Sequence, residues 1–194
     1  MAEVVLFHSA YGVRPAVRDW ATRLRAAGHR VHVSDLYDGQ VFDSLEEATA
    51  ARDAIGVPEL MRRAHAAVVE LPERVVYAGF SMGASAAEHL AVTRPGGAGA
   101  ILMHGAIPLE FAGVRSWPRS VDLQIHYAED DPLVDAAVVA AVAAAARRAG
   151  AAVDVRTYPG RGHLFADNGL PDYDPDAAGR MLQASLEFLD HRQD

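Results

Sequence analysis

Arg74-Val75-Val76-Tyr77-Ala78-Gly79-Phe80-Ser81-Met82-Gly83-Ala84 is the stretch whose reading decides the fold. An apolar run ends in Gly-x-Ser-x-Gly, and a small-residue, helix-forming segment follows. This is the order of a strand, a sharp turn and a helix, with a serine held at the turn. A side chain at Gly79 or Gly83 would crowd such a tight crossing, and the serine itself would sit in strained backbone. The turn places Ser81 at a helix N-terminus, where free N–H groups and the helix dipole favour a developing negative charge.

Working outward, five more short apolar runs read as strands. They are Val4 to Phe7, Arg30 to Val33, Ala100 to Met103, Leu123 to Tyr127, and the segment carrying Val153, Val155 and Tyr158. Helical spacing recurs between them. Val17, Trp20, Ala21 and Leu24 follow Pro15, with Gly28 as a stop. Leu60, Met61, Ala64, Val68 and Leu71 follow Pro58. Residues 40–56 are polar and weakly patterned, and predict a loop with a short helix near Leu45 to Ala54. Asp135 to Ala149 reads as an amphipathic helix closed by Gly150. Asp174-Pro175 is a cap followed by a first-turn proline, opening a last helix with Met181, Leu182, Leu186 and Leu189 inward. Strands alternating with helices predict an α/β fold. The expected form is a doubly wound, mainly parallel six-stranded sheet in one domain over residues 1–194. Active sites in such sheets lie at the carboxyl ends of the strands.

Composition narrows the partners. The 194 residues carry a net charge of −8 and no basic run, which argues against nucleic acid or an anionic membrane. Every basic side chain other than histidine is arginine, so lysine Schiff-base chemistry and a P-loop lysine are excluded. There is no cysteine, which excludes disulfides, thiolate nucleophiles and cysteine metal sites. Met1 to His8 lacks a basic segment and a long apolar run, so no signal peptide is expected. The longest apolar run, Ala136 to Ala146, is too short to span a bilayer. A cytoplasmic enzyme without metal or cofactor is the expectation.

Three strand ends carry reactive types. Ser81 follows the third strand, Glu129-Asp130-Asp131-Pro132 the fifth, and Gly160-Arg161-Gly162-His163 the sixth. A serine hydroxyl is a weak nucleophile at neutral pH and needs a base to take its proton. An imidazole can accept that proton and return it. A carboxylate fixes the imidazole tautomer and stabilises its charged form. Asp131 is the favoured acid by position, and Asp130 remains the alternative. A tetrahedral intermediate also needs two donors for its oxyanion. Met82 N–H, just after the serine, is one candidate; Ala10 N–H, in the loop after the first strand, is the other.

The chain resembles the dienelactone hydrolase family, a compact branch of the α/β-hydrolases. The order Ser…Asp…His is that of the α/β-hydrolases. The matching segments are Val5-Leu6-Phe7-His8-Ser9-Ala10-Tyr11-Gly12-Val13, Asp35-Leu36-Tyr37 and Gly79-Phe80-Ser81-Met82-Gly83. Ala128-Glu129-Asp130-Asp131-Pro132-Leu133-Val134 and Tyr158-Pro159-Gly160-Arg161-Gly162-His163-Leu164-Phe165 complete them. The resemblance implies a minimal hydrolase fold lacking the first two strands, Asp131 as the acid, and Ala10 and Met82 as oxyanion donors. It implies a small ester or lactone substrate cleaved through an acyl-serine. Enzymes of the family that hydrolyse dienelactone use a cysteine nucleophile and a glutamate after the first strand. Here those places hold Ser81 and Ser9, which points away from dienelactone itself.

Tyr11, Phe111, Trp117, Leu133 and Phe165 lie in loops on the expected site side. They either line an apolar acyl pocket or pack the loops. His8, His104 and His126 are expected as satisfied core or pocket histidines rather than metal ligands, Arg161 as a solvated side chain, and His191 at the surface. Any cap is confined to residues 37–56 and 106–121, which favours short acyl groups. A thioesterase for longer chains and a non-catalytic binding module of the same fold are the alternatives, and a homodimer is possible.

Overall fold

A computed structural model describes residues 1–191. Each apolar run becomes a strand: β1 Glu3–Phe7, β2 Arg30–Ser34, β3 Val76–Phe80, β4 Gly99–Met103, β5 Asp122–Ala128 and β6 Val153–Tyr158. They form one sheet in the order β2-β1-β3-β4-β5-β6. Every pairing is parallel, where the sequence predicted a mainly parallel sheet. The third strand runs to Phe80 and so delivers Ser81 directly from the sheet.

Helices α1 Pro15–Ala26, α2 Leu45–Ile55, α3 Val57–Val68, α4 Met82–Thr93, α5 Ala136–Ala149 and α6 Pro175–Asp190 connect or follow the strands. Their ends follow local chemistry. Asp135 and Asp174 each accept N–H bonds from the first turns of α5 and α6. Ser44 caps α2, which runs Leu45–Ile55 where the sequence predicts a short helix near Leu45 to Ala54.

Alternation along the strands divides the core in two. Val5, Phe7, Tyr77, Leu102 and Ile125 pack with α3, α4 and α5 on one face. Val4, Leu6, Val76, Ala78 and Met103 pack with α1 and α6 on the other. A strand buried on both faces must be apolar at successive positions, which is why these segments read as unbroken runs. Because β2 lies on one side of β1 and β3 on the other, the winding reverses between β1 and β3. That reversal opens a crevice at the carboxyl ends of these two strands. No helix among the described residues is long and apolar enough to cross a membrane.

Candidate active site

Ser81 stands at that crevice. Its backbone is at φ 52°, ψ −109°, a region costing about 1–3 kcal/mol for a residue with a side chain. Both ends of the turn are pinned. Ser81 N–H donates to Met103 O at 2.7 Å, continuing the sheet ladder, and Ser81 O accepts from Ala84 N–H at 2.8 Å, starting α4. The flanking glycines are sterically required. A Cβ on Gly79 would overlap the Gly83 carbonyl, and a Cβ on Gly83 would strike the carbonyl oxygens of Phe7 and His8. Gly83 therefore lets the end of β1 approach the first turn of α4.

Ser81 Oγ lies 2.7 Å from His163 Nε2, and His163 Nδ1 lies 2.7 Å from Asp131 Oδ2. The second carboxylate oxygen of Asp131 accepts from Leu133 N–H at 2.9 Å, so the side chain, fully out of solvent, is held from both sides. With Asp131 accepting, Nδ1 carries the proton and Nε2 is free to accept from the serine hydroxyl. Asp130 is exposed, and its backbone N–H donates to Gly160 O. Of the two candidate acids, only Asp131 meets the imidazole. Asp172 was missed by sequence reasoning. Its Oδ2 accepts from His163 N–H at 3.0 Å and steadies the histidine loop from nine residues away.

Met82 is the first residue of α4 and Ala10 lies buried in the turn after β1. Among the described residues neither N–H is given to a loop, turn or cap acceptor. The side chain of Met82 is itself held, since Tyr37 O–H donates to its sulfur at 3.2 Å. Burial lifts the Tyr37 phenol to about 12, so it remains a donor at any physiological pH.

The five aromatic and aliphatic candidates separate. Tyr11 is half-buried, Phe111 is 75% exposed and Leu133 is 62% exposed. Trp117 is only 2% exposed, with its indole N–H on Val121 O, and packs with Leu109 and Val121. Phe165 is also 2% exposed, and its ring meets His104 and Tyr158. These two rings pack the loops from within and present no face to a substrate. Arg161 and His191 are exposed, as expected.

Of the three histidines expected as satisfied rings, one is satisfied and two are not. His8 is satisfied: Nδ1–H donates to Ser9 O and Nε2 accepts from Leu36 N–H. His126 is half-satisfied, with Nδ1 on Tyr158 O–H and Nε2 unpaired. His104 has neither nitrogen paired, although its ring centroid is 5.9 Å from that of His163. Complete burial drives the His104 pKa well below the usual histidine range, and His163 and His126 reinforce the effect. His104 is thus neutral and places no opposing charge beside His163. Among the described residues no group of three or more His, Cys, Asp or Glu converges on a metal position.

A parallel sheet with helices on both faces, a serine elbow after β3, an acid after β5 and a histidine after β6 is the arrangement of an α/β-hydrolase. The model of the dienelactone hydrolase family matches residues 1–193, and the chain belongs to that family. Among solved structures it is similar to a dienelactone hydrolase-like promiscuous phosphotriesterase from metagenomic libraries. That match has 25% identity and a TM-score of 0.82, covering 99% of this chain and 87% of the other. A thermophilic esterase of Thermogutta terrifontis with bound propionate shares the fold at 18% identity and a TM-score of 0.69, covering 98% and 83%. So does a Xanthomonas campestris protein described as belonging to the alpha/beta hydrolase superfamily, at 22% and 0.63, covering 98% and 99%. A search of curated proteins gave no match.

Proposed function

We propose that this protein is a serine hydrolase that cleaves a small carboxylic ester or lactone through an acyl-Ser81 intermediate. The observation that carries the reading is the continuous relay Ser81 Oγ–His163–Asp131, with both links at 2.7 Å. His163 Nε2 takes the hydroxyl proton as Ser81 Oγ bonds to the ester carbonyl carbon. The resulting oxyanion sits at the N-terminus of α4, where Met82 N–H and Ala10 N–H donate to it; each such donor contributes about 3–4 kcal/mol in comparable sites. The intermediate collapses, the carbon–alkoxide bond breaks, and His163 delivers its proton to the leaving oxygen. Water then loses a proton to the same nitrogen and attacks the acyl carbon. Acid is released and the Ser81 hydroxyl is restored.

The esterase relative with bound propionate supports a short acyl group. So does the small size of the two segments to which any cap is confined, 37–56 and 106–121, whose helices are α2 and the short 3-10 helix Leu109–Ala112. A longer-chain acyl hydrolase or thioesterase is the second reading, favoured by the exposed Phe111 and Leu133. A fluorophosphonate probe should label the wild type and fail to label Ser81→Ala, with turnover of p-nitrophenyl acetate falling about 10⁵-fold in the variant. No labelling of folded wild type would favour a non-catalytic module. Rates that climb steadily from acetate to octanoate would favour the longer-chain reading.

A further inference from the structure

Arg14 is the last residue before α1 and belongs to the loop that carries Ala10 and Tyr11. It is a charged side chain buried to 8% exposure, and every acceptor it reaches lies in a loop on the carboxyl side of the sheet. Its Nε donates to Asp167 Oδ2 at 3.0 Å, Nη1 to Phe42 O at 3.0 Å, and Nη2 to Gly169 O at 3.0 Å. A weaker contact runs from Nη1 to the exposed Asp43 at 3.4 Å. Cζ lies 5.6 Å from the centre of the Tyr11 ring. We propose that Arg14 is a positioning residue for the hydrolytic reaction, fixing the oxyanion loop against the histidine loop. The inference rests on the serine hydrolase reading.

The connections are short in chain terms. Arg14 is four residues from Ala10, the proposed donor, and Asp167 is four residues from His163. Asp167 is itself buried, and its other oxygen accepts from Gly169 N–H at 2.9 Å. Gly169 is a glycine for a reason: a Cβ there would run into Arg14 Nη2 at 2.5 Å. The third loop is joined to the first independently, since Phe42 N–H donates to Tyr11 O at 3.0 Å and Gly12 bridges Val41. Three loops from different strand ends thus meet on one guanidinium. A buried ion pair is a weak device for stability alone, because apolar packing can replace it. Its planar fork, with two donor nitrogens on the loop after β6 and one on the loop after β2, is a strong device for geometry, since it ties both to the loop that carries Arg14. A displacement of about 1 Å between oxyanion donors and general base costs on the order of 10²-fold in rate.

The test compares wild type, Arg14→Lys, Arg14→Ala, Asp167→Asn and Ser81→Ala. Active sites are counted by fluorophosphonate titration, so that loss of folded protein does not count as loss of rate. Arg14→Lys keeps the charge and loses the fork. Its kcat per titrated site should fall about 10-fold, and that of Arg14→Ala about 30-fold or more, with KM within about three-fold. Guanidinium at about 50 mM, far below denaturing levels, should restore a large part of the Arg14→Ala rate and leave wild type unchanged. If Arg14→Ala fails to fold, the kcat and KM of Arg14→Lys and Asp167→Asn decide. A kcat per site within about three-fold of wild type in both, or an effect confined to KM, overturns the proposal. Wild type without Ser81-dependent turnover would sink the hydrolase reading and this inference with it. Normal wild-type turnover with unaffected variants sinks the inference alone.

Discussion

The turns that leave β3 and β4 are built alike and end differently. Each follows a five-residue strand buried throughout, and each begins with a non-glycine residue at positive φ, 52° for Ser81 and 70° for His104. In each, that residue's N–H donates at 2.7 Å to the last or nearly last carbonyl of the neighbouring strand region, Met103 O and His126 O. Beyond this point they part. Ser81 runs straight into α4, and its hydroxyl meets His163. His104 runs into Gly105 and an irregular segment, and its ring is sealed among Phe80, Phe165 and His163 with both nitrogens unpaired. Backbone strain at a strand end is therefore not in itself a mark of chemistry. A hydrogen-bonded partner and a helix start are what separate the Ser81 turn from its neighbour.

The largest way to break the comparison is to cut the relay that distinguishes Ser81. Asp131→Asn should lower kcat by about 10⁴-fold, because Nδ1 of His163 loses its fixed proton partner. Fluorophosphonate labelling of Ser81 should slow in step, and a loss under ten-fold would deny the relay its importance.

The turn after β4 has a buried acid beneath it. Glu88 of α4 is fully buried, with Oε2 accepting from Ile107 N–H at 2.8 Å and Oε1 unpaired. Burial raises its pKa from 4.5 to about 8, against the smaller opposing pull of the Ile107 bond. The folded state thus holds a proton that the unfolded state releases near pH 4.5. This contribution is complete below that pH and is lost as pH rises through about 8. Glu88→Gln has no such titration. Its thermal midpoint should gain on wild type steadily from pH 5 to pH 9, by several degrees at the upper end; parallel curves would contradict a neutral Glu88.

The smallest effect sharpens the comparison from the His104 side. His104→Phe replaces two unpaired buried nitrogens with an apolar ring of similar outline. Urea denaturation should show a gain of about 1–2 kcal/mol, with kcat within about three-fold. A severe loss of kcat would give His104 a role in the reaction.

Much of this was legible from residues alone, because the signals were local. Six apolar runs marked six strands, and Gly79, Ser81 and Gly83 marked the elbow, whose glycines face real backbone atoms across the turn. Serine, acid and histidine could be placed after their strands by chain order, and of the two aspartates Asp131 is the one within hydrogen-bond reach of His163. What could not be read depends on partners distant in sequence. Whether Trp117 and Phe165 face a ligand or the interior is decided by loop packing, which has no periodicity. Arg14 meets Asp167 across 153 residues, a pairing that no local pattern around either residue encodes. Glu88 carried a fainter sign: it lies seven residues after Ser81, on the inward face of an otherwise alanine-rich helix.

Because all six strands run the same way, the molecule has two unlike rims. Ser81, Asp131, His163 and the loops around them occupy one, while the turns entering β2, β4 and β6 lie about a strand length, roughly 17 Å, away on the other. Gly28, exposed with open space around its α-carbon, sits there. A surface tether or an inserted peptide on that side leaves the crevice facing outward, giving a natural point of attachment for holding the protein on a support.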